Sequence, residues 1–217
     1  YKELWQNIFM NRVFLFLILF TANVFSYPHL YVGTVESRYW SDVWENFRTQ
    51  YPLKVYAGGG TDGEYRSILI EIKNDYGEDY RKQLNFRKCS EKSIKKNRCY
   101  ENGYSINKDY DTLLYILKKS IEWSKIAKEN NVEKVSKNIQ YEGKNIRSPF
   151  GGGNVSFYAQ GTYQSDLILP LYFPSSRSED RYYSLQAQEN FLELLTNATE
   201  TIERSIKENK KSEDLFN

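Results

Sequence analysis

The spacing of the apolar residues changes several times along this 217-residue chain, and that change constrains the fold more than any other feature. Between residues 53 and 88 the spacing is two, which is typical of strands with one buried face. The segment YRSILIEI shows it most clearly, and the glycines of GGGTDG before it suit a turn because glycine tolerates positive φ. The pattern predicts three antiparallel strands: Leu53–Ala57, Tyr65–Lys73 and Tyr80–Lys88.

Three other segments show the helical spacing of 3.6 instead. Residues 110–130 and 184–208 are long and amphipathic, with Asp109 or Asp111 and Ser184 as the expected N-terminal caps. Residues 37–50 predict a short N-terminal helix docked on a sheet, because four large side chains fall on one helical face: Trp40, Val43, Trp44 and Phe47. An aromatic ligand platform is the alternative interpretation of those four.

Two further segments predict strands. HLYVGTV alternates in the strand manner, and the stretch from Gly151 to Phe173 predicts a hairpin that turns at Gln160 to Thr162. Pro170 has no amide donor, so we expect its strand to lie at a sheet edge or to contain a bulge. The whole order predicts an α+β fold: a largely antiparallel sheet of about five to seven strands, with two long amphipathic helices and one short N-terminal helix packed on it.

The N-terminal stretch predicts export. Met10 and Arg12 precede an apolar run from Val13 to Phe20 and then the more polar TANVFS, which is the order of parts in a secretory signal peptide. We expect cleavage before Tyr27, with cleavage near Ala22 as a second possibility. Residues 10–26 are thus predicted to be a signal peptide, residues 1–9 a non-native upstream segment, and residues 27–217 a single domain.

Two other interpretations of the apolar run stay open. The first is an uncleaved membrane anchor formed by residues 13–25, although that run is shorter than the roughly 18 to 20 apolar residues that span a bilayer. The second is a buried strand or helix of the core. The primary localisation that we predict is periplasmic or extracellular, and contact with a membrane is expected only through an uncleaved N-terminal segment.

The residue inventory excludes several kinds of chemistry. The net charge is +2, so no overall field attracts nucleic acid, and we do not expect a nucleic-acid partner. His29 is the only imidazole, which argues against a catalytic triad and against a histidine metal centre, and we expect no metal and no other cofactor. The residues that remain for catalysis are five carboxylates near the first glycine turn, which paired could hydrolyse glycosides: Asp62, Glu64, Asp75, Glu78 and Asp79.

The least ordinary feature is the basic segment, residues 81–98, which holds eight Lys or Arg against one Glu. Cys89 and Cys99 are predicted to form a disulfide, because two cysteines so close together in an exported protein are typically joined. A bridge would fix part of the charge on a loop, and that loop is our predicted binding site: Arg87, Lys88, Lys92, Lys95, Lys96 and Arg98. Its net charge of +7 suits an acidic protein or an anionic polymer of the cell envelope.

The sequence therefore predicts a small exported protein that binds a partner, in which the basic disulfide loop contacts an acidic surface. Catalysis is the less favoured interpretation, and its form would be a cell-envelope hydrolase that uses paired carboxylates. A structural component of the envelope is the third. The sequence names neither the partner nor the oligomeric state.

Overall fold

The computed structural model describes the chain from residue 29 onward, with gaps. The described residues are 29–41, 46–49, 51–59, 66–74, 79–85, 108–161, 164–173 and 178–215. Within them the chain forms twelve strands and two helices, and each pair of neighbouring strands is antiparallel.

Four strands form the first sheet, and the period-two spacing of the sequence gives it two unlike faces. They are, in spatial order, β1 (Leu30–Val35), β4 (Leu53–Gly59), β5 (Arg66–Lys73) and β6 (Asp79–Asn85). Val55 pairs with Ile70 across the apolar face, where both side chains are fully buried. The opposite face is charged: Glu71 lies 3.1 Å from Arg81 Nε and 3.4 Å from Lys54 Nζ.

Six strands form the second sheet. In spatial order they are β3 (Asn46–Thr49), β2 (Arg38–Ser41), β12 (Ser178–Ser184), β11 (Gln164–Tyr172), β10 (Ser156–Gln160) and β7 (Val135–Asn138). Leu167, Leu169 and Tyr183 lie on the buried face of this sheet. A separate two-stranded ribbon joins β8 (Gln140–Tyr141) to β9 (Lys144–Asn145), and Glu142 and Gly143 make its turn, both at positive φ.

Two helices form where the long apolar stripes predict them. They are α1 (Lys108–Glu129), which buries Leu113 and Leu117, and α2 (Leu185–Asp214), which buries Leu195. The predicted cap of α2 is confirmed, because Ser184 Oγ accepts a hydrogen bond of 3.3 Å from the amide of Ala187. Neither helix has the length and apolar character needed to cross a membrane, and the described part of the chain holds no other helix that does.

The helices run antiparallel and bridge the two sheets. Lys125 near the end of α1 lies 3.9 Å from Glu189 near the start of α2. Helix α2 packs on β1 and β4 of the first sheet and on β11 and β12 of the second, while α1 packs on β6, β10 and β11. The buried side chains of both sheets and both helices therefore form one continuous core.

A buried arginine joins the two sheets at their meeting point. Arg181 of β12 is fully buried, and its Nη2 donates 2.9 Å to the carbonyl of Lys73 at the end of β5. Its Nη1 donates to the carbonyl of Tyr51 at 3.4 Å and to Ser37 Oγ at 3.3 Å, and its Nε lies 2.9 Å from Glu179 Oε1. One side chain thus connects a central strand of the second sheet to the segments that flank the first.

The predicted fold class is wrong. The described residues of segment 37–50, which are 37–41 and 46–49, form no short N-terminal helix: they include β2 and β3, and Trp40 pairs with Phe47 across these strands. The single sheet of five to seven strands is also wrong, since the described strands divide into sheets of four and six and a ribbon of two. A separation of seven residues places Trp40 and Phe47 on one helical face, but it equally makes them cross-strand partners in a hairpin, where aromatic pairs are stabilising.

The prediction that the strand of Pro170 lies at a sheet edge or contains a bulge is wrong as well, since neither ladder of this strand has a register shift. This strand, β11, lies between β12 and β10 inside the second sheet. Proline is tolerated there because the ladder with β10 ends at Ile168, which pairs with Ser156, and Pro170 keeps only its pairing with Asp180 of β12.

Candidate functional site

The candidate site lies on the outer face of the second sheet, the face opposite the helices. Side chains alternate along β12, so Arg181 and Tyr183 point into the core while Tyr182 between them is only half-buried and faces outward. Tyr182 pairs with Arg38 of β2, which places Arg38 and Trp40 on the same outward face. The register of β2 with β3 adds Phe47 directly opposite Trp40.

Three of these side chains form a row of aromatic rings. The centroids of Trp40 and Phe47 are 5.2 Å apart and those of Phe47 and Tyr182 are 5.0 Å apart, both in edge-to-face geometry. Such spacing lies in the favourable range for aromatic pairs, so the rings stabilise one another. Trp40 at the end of the row remains 45% exposed. We call Arg38, Trp40, Phe47 and Tyr182 the ring ladder.

Arg38 gives the ring ladder a positive charge in a fixed position. Its guanidinium carbon lies 4.7 Å from the centroid of the Phe47 ring, which is a cation–π contact. Its Nη2 donates 2.6 Å to Asp166 Oδ1, and the other oxygen of Asp166 accepts from Gln164 Nε2 at 2.8 Å. The Asp166 side chain is fully buried, so this ion pair is shielded from solvent on the carboxylate side and holds the guanidinium over the ring.

The predicted basic loop lies outside the described residues. This applies to Cys89, Cys99 and each predicted contact: Arg87, Lys88, Lys92, Lys95, Lys96 and Arg98. Only the start of the basic segment is described, as part of β6. There Arg81 pairs with Glu71, and Lys82 pairs with Asp109 at 2.5 Å, so these two cations already have carboxylate partners.

The carboxylates of the hydrolase hypothesis fall mostly outside the described residues too. Asp79 alone is described, and its Oδ1 lies 3.4 Å from Lys73 Nζ. The single imidazole, His29, is exposed and lies against Gly58, where an added methyl group would come within 2.5 Å of His29 Nδ1. No group of three or more His, Cys, Asp or Glu side chains among the described residues could hold a metal ion.

Sequence reasoning identified two of the three aromatic residues of the ring ladder but assigned them to the wrong element. Trp40 and Phe47 were visible as a spaced aromatic pair, and the structure pairs them across two strands. Val43 and Trp44, the other two residues of the predicted helical face, lie outside the described residues. Arg38, Asp166 and Tyr182 had no signal in the sequence, since they come from strands up to 144 positions apart in the chain.

The ring ladder suits recognition of another molecule. It presents a partly exposed tryptophan ring beside one fixed guanidinium, so it can bury apolar area and donate hydrogen bonds in one place. Comparisons of this chain with protein-family models, with curated proteins and with solved structures found no match.

Proposed function

We propose that this is an exported binding protein that docks a protein partner on the ring ladder. The observation that carries the proposal is the exposed end of the ladder, where Trp40 stands beside Arg38 on a sheet face that neither helix covers. Trp, Tyr and Arg are the residue types most enriched among the side chains that dominate protein–protein binding energy. An exposed aromatic group of this kind is a typical mark of an interaction site.

The ring ladder is already ordered before any partner binds. Phe47 is held between Trp40 and Tyr182, and Arg38 is held by Asp166. Binding therefore requires little ordering of side chains, a cost of about 0.5–1.5 kcal/mol for each flexible side chain that an interface must immobilise. This supports recognition of a defined protein surface.

The basic segment remains the second contact in this proposal. Its charge of +7 would attract an acidic partner and raise the rate of association, while the ring ladder would supply the buried area that slows dissociation. The two surfaces predict different behaviour in salt, because only the electrostatic contribution is screened.

The test is affinity capture from the native extract with the chain from Tyr27 onward, followed by quantitative mass spectrometry. The variant is Trp40→Ala, and the matched control is Tyr141→Ala. Tyr141 is 55% exposed and meets Tyr115 edge-to-face at 5.3 Å, close to the 5.2 Å between Trp40 and Phe47, but it lies on the ribbon of β8 and β9. The partner should be lost with Trp40→Ala and kept with Tyr141→Ala.

With the partner purified, Trp40→Ala should weaken its affinity about 30-fold, as truncation of a dominant aromatic contact does. Equal affinity of both variants would refute the ring ladder as the docking surface. Neutralising Lys92, Lys95, Lys96 and Arg98 together should weaken binding less and flatten its salt dependence. Sedimentation tests whether the partner is a second copy of the chain. If the parent is a homodimer and Trp40→Ala is a monomer, the partner is a second copy and the proposal of a different protein fails.

Export is tested separately by mass spectrometry of the native protein. A first residue of Tyr27 supports the signal peptide, whereas retention of residues 13–25 supports a membrane anchor instead.

A further inference from the structure

A polar cleft lies at the end of the second sheet where α1 ends and α2 begins. Its volume is about 250 Å³. Seven of its lining residues are polar or charged and come from four separate parts of the chain: Arg38, Ser124, Lys128, Gln164, Ser165, Ser184 and Gln186. A cleft of this size accommodates a small polar ligand and is below the usual range for drug-sized molecules.

One hydroxyl group in the lining of the cleft, that of Ser124, has no hydrogen-bond partner within the described structure. The side chain of Ser124 is only 1% exposed. A buried hydroxyl without a partner is unfavourable, so native structures seldom keep one without a reason. Ser120, one helical turn earlier, has an unpartnered buried hydroxyl as well, but it does not line the cleft.

The start of α2 contributes positive partial charge to the cleft. The first amides of a helix have no partner within the helix and carry partial positive charge, and α2 begins with Leu185 and Gln186 in the cleft lining. The last carbonyls of α1 carry the opposite partial charge, and two of those in its final turn already accept backbone hydrogen bonds. Ile126 O accepts from the amide of Asn130 at 3.0 Å, and Ala127 O from that of Val132 at 3.0 Å.

Two cations complete the lining. Lys128 forms no ion pair within the described part of the chain, so its charge is available. Arg38 is partly neutralised by Asp166 through one nitrogen, and its Nε is buried without a hydrogen-bond partner. Residues that carry hydroxyl, ammonium and guanidinium groups and the first residues of α2 therefore line one small volume. The carboxylate of Asp166 is bound to Arg38 and Gln164 and is not in the lining.

We propose that this cleft binds a small tetrahedral oxyanion, namely a phosphate group, either free or carried by a small molecule. A phosphate accepts several hydrogen bonds in different directions, and it combines well with a helix N-terminus and with Arg and Lys. Ser124 Oγ donates to it and loses its unsatisfied state. Arg38 belongs to both the cleft and the ring ladder, but the two proposals fail separately, because Trp40→Ala tests docking and Ser124→Ala tests phosphate binding.

The test is calorimetric titration of the chain from Tyr27 onward with inorganic phosphate at low salt, with glycerol phosphate and acetate as separate arms. Ser124→Ala should weaken phosphate binding about tenfold, the effect of removing one hydrogen bond to a charged group. Ser120→Ala is the matched control and should leave the affinity unchanged. Both variants should melt no lower than the parent, because each removes a buried unsatisfied hydroxyl.

Lys128→Gln provides a second variant at an exposed position that does not threaten folding. It should weaken phosphate binding several-fold and reduce the dependence of the affinity on salt. Tighter binding of glycerol phosphate than of inorganic phosphate would identify a phosphorylated small molecule as the ligand class. Absence of binding at roughly 10 mM phosphate, or equal affinity of Ser124→Ala and Ser120→Ala, would overturn the inference.

Discussion

Removal of the buried guanidinium that joins the two sheets should be among the most damaging single changes to this protein. In the variant Arg181→Met, a side chain of similar length stays in place but donates nothing. The carbonyls of Lys73 and Tyr51 then lose their bonds of 2.9 and 3.4 Å, and Glu179 loses its ion pair at 2.9 Å.

The size of the effect follows from these contacts. Two hydrogen bonds from a charged donor contribute about 1.5–3 kcal/mol each, and breaking a buried ion pair on one side costs about 3–5 kcal/mol. Since the two estimates describe the same side chain, we expect a loss of about 4 kcal/mol in the free energy of unfolding. Domains of this kind have only about 5–15 kcal/mol in total.

The assay is urea unfolding at pH 7, followed by circular dichroism. With a slope of about 2 kcal/mol per molar, the midpoint should fall by about 2 M. Adding Glu179→Gln to Arg181→Met should recover about 1–2 kcal/mol, because the second change removes the negative charge that the Arg181 guanidinium had balanced. A midpoint within about 0.5 M of the parent would show that Arg181 does not hold the sheets together, and the reasoning would fail.

Two further perturbations test the packing of the core. Burial raises the pKa of Tyr183 to about 12 from 10.0, so its neutral phenol favours the folded state fully below pH 10, and this contribution is lost as the pH rises to 12. The parent should therefore lose about 2 kcal/mol more than Tyr183→Phe over that interval, as measured by urea unfolding at each pH; parallel profiles would contradict this. Gly33→Ala would place a methyl group 2.6 Å from Leu194 Cδ2 and should cost about 1–2 kcal/mol. In a Leu194→Ala background the same change should cost under about 0.5 kcal/mol, and an equal cost in both backgrounds would refute the clash.

The prediction failed at residues 37–50 because one spacing serves two structures. Trp40 and Phe47 are seven positions apart, which is two turns of a helix and also a cross-strand pair in this hairpin. Local periodicity cannot choose between these. The choice depends on β12, whose Tyr182 accepts Arg38 as its neighbour in the sheet and packs its ring against Phe47.

The candidate site was predictable only in part for a similar reason. The spacing of Trp40 and Phe47 is visible in the sequence, whereas the burial of a charged side chain is not. Asp166 and Arg38 look like ordinary surface residues until β11 and β2 are brought into one sheet, 128 positions apart in the chain. The orphan hydroxyl of Ser124 likewise has meaning only once its surroundings are known.

The sequence by itself determined those helices and strands whose apolar spacing is compatible with only one type of secondary structure. These are the stripes of α1 and α2, the Ser184 cap, and the strands β4, β5, β10 and β11. Each depends on residues within a few positions of one another, so its physical cause lies inside the segment. Only the tertiary structure decided how strands divide between two sheets, which face of β2 and β3 stays exposed, and that Arg181 would be buried where the sheets meet. Those outcomes depend on contacts between distant segments, where burial and partner availability, and not local propensity, set the free energy.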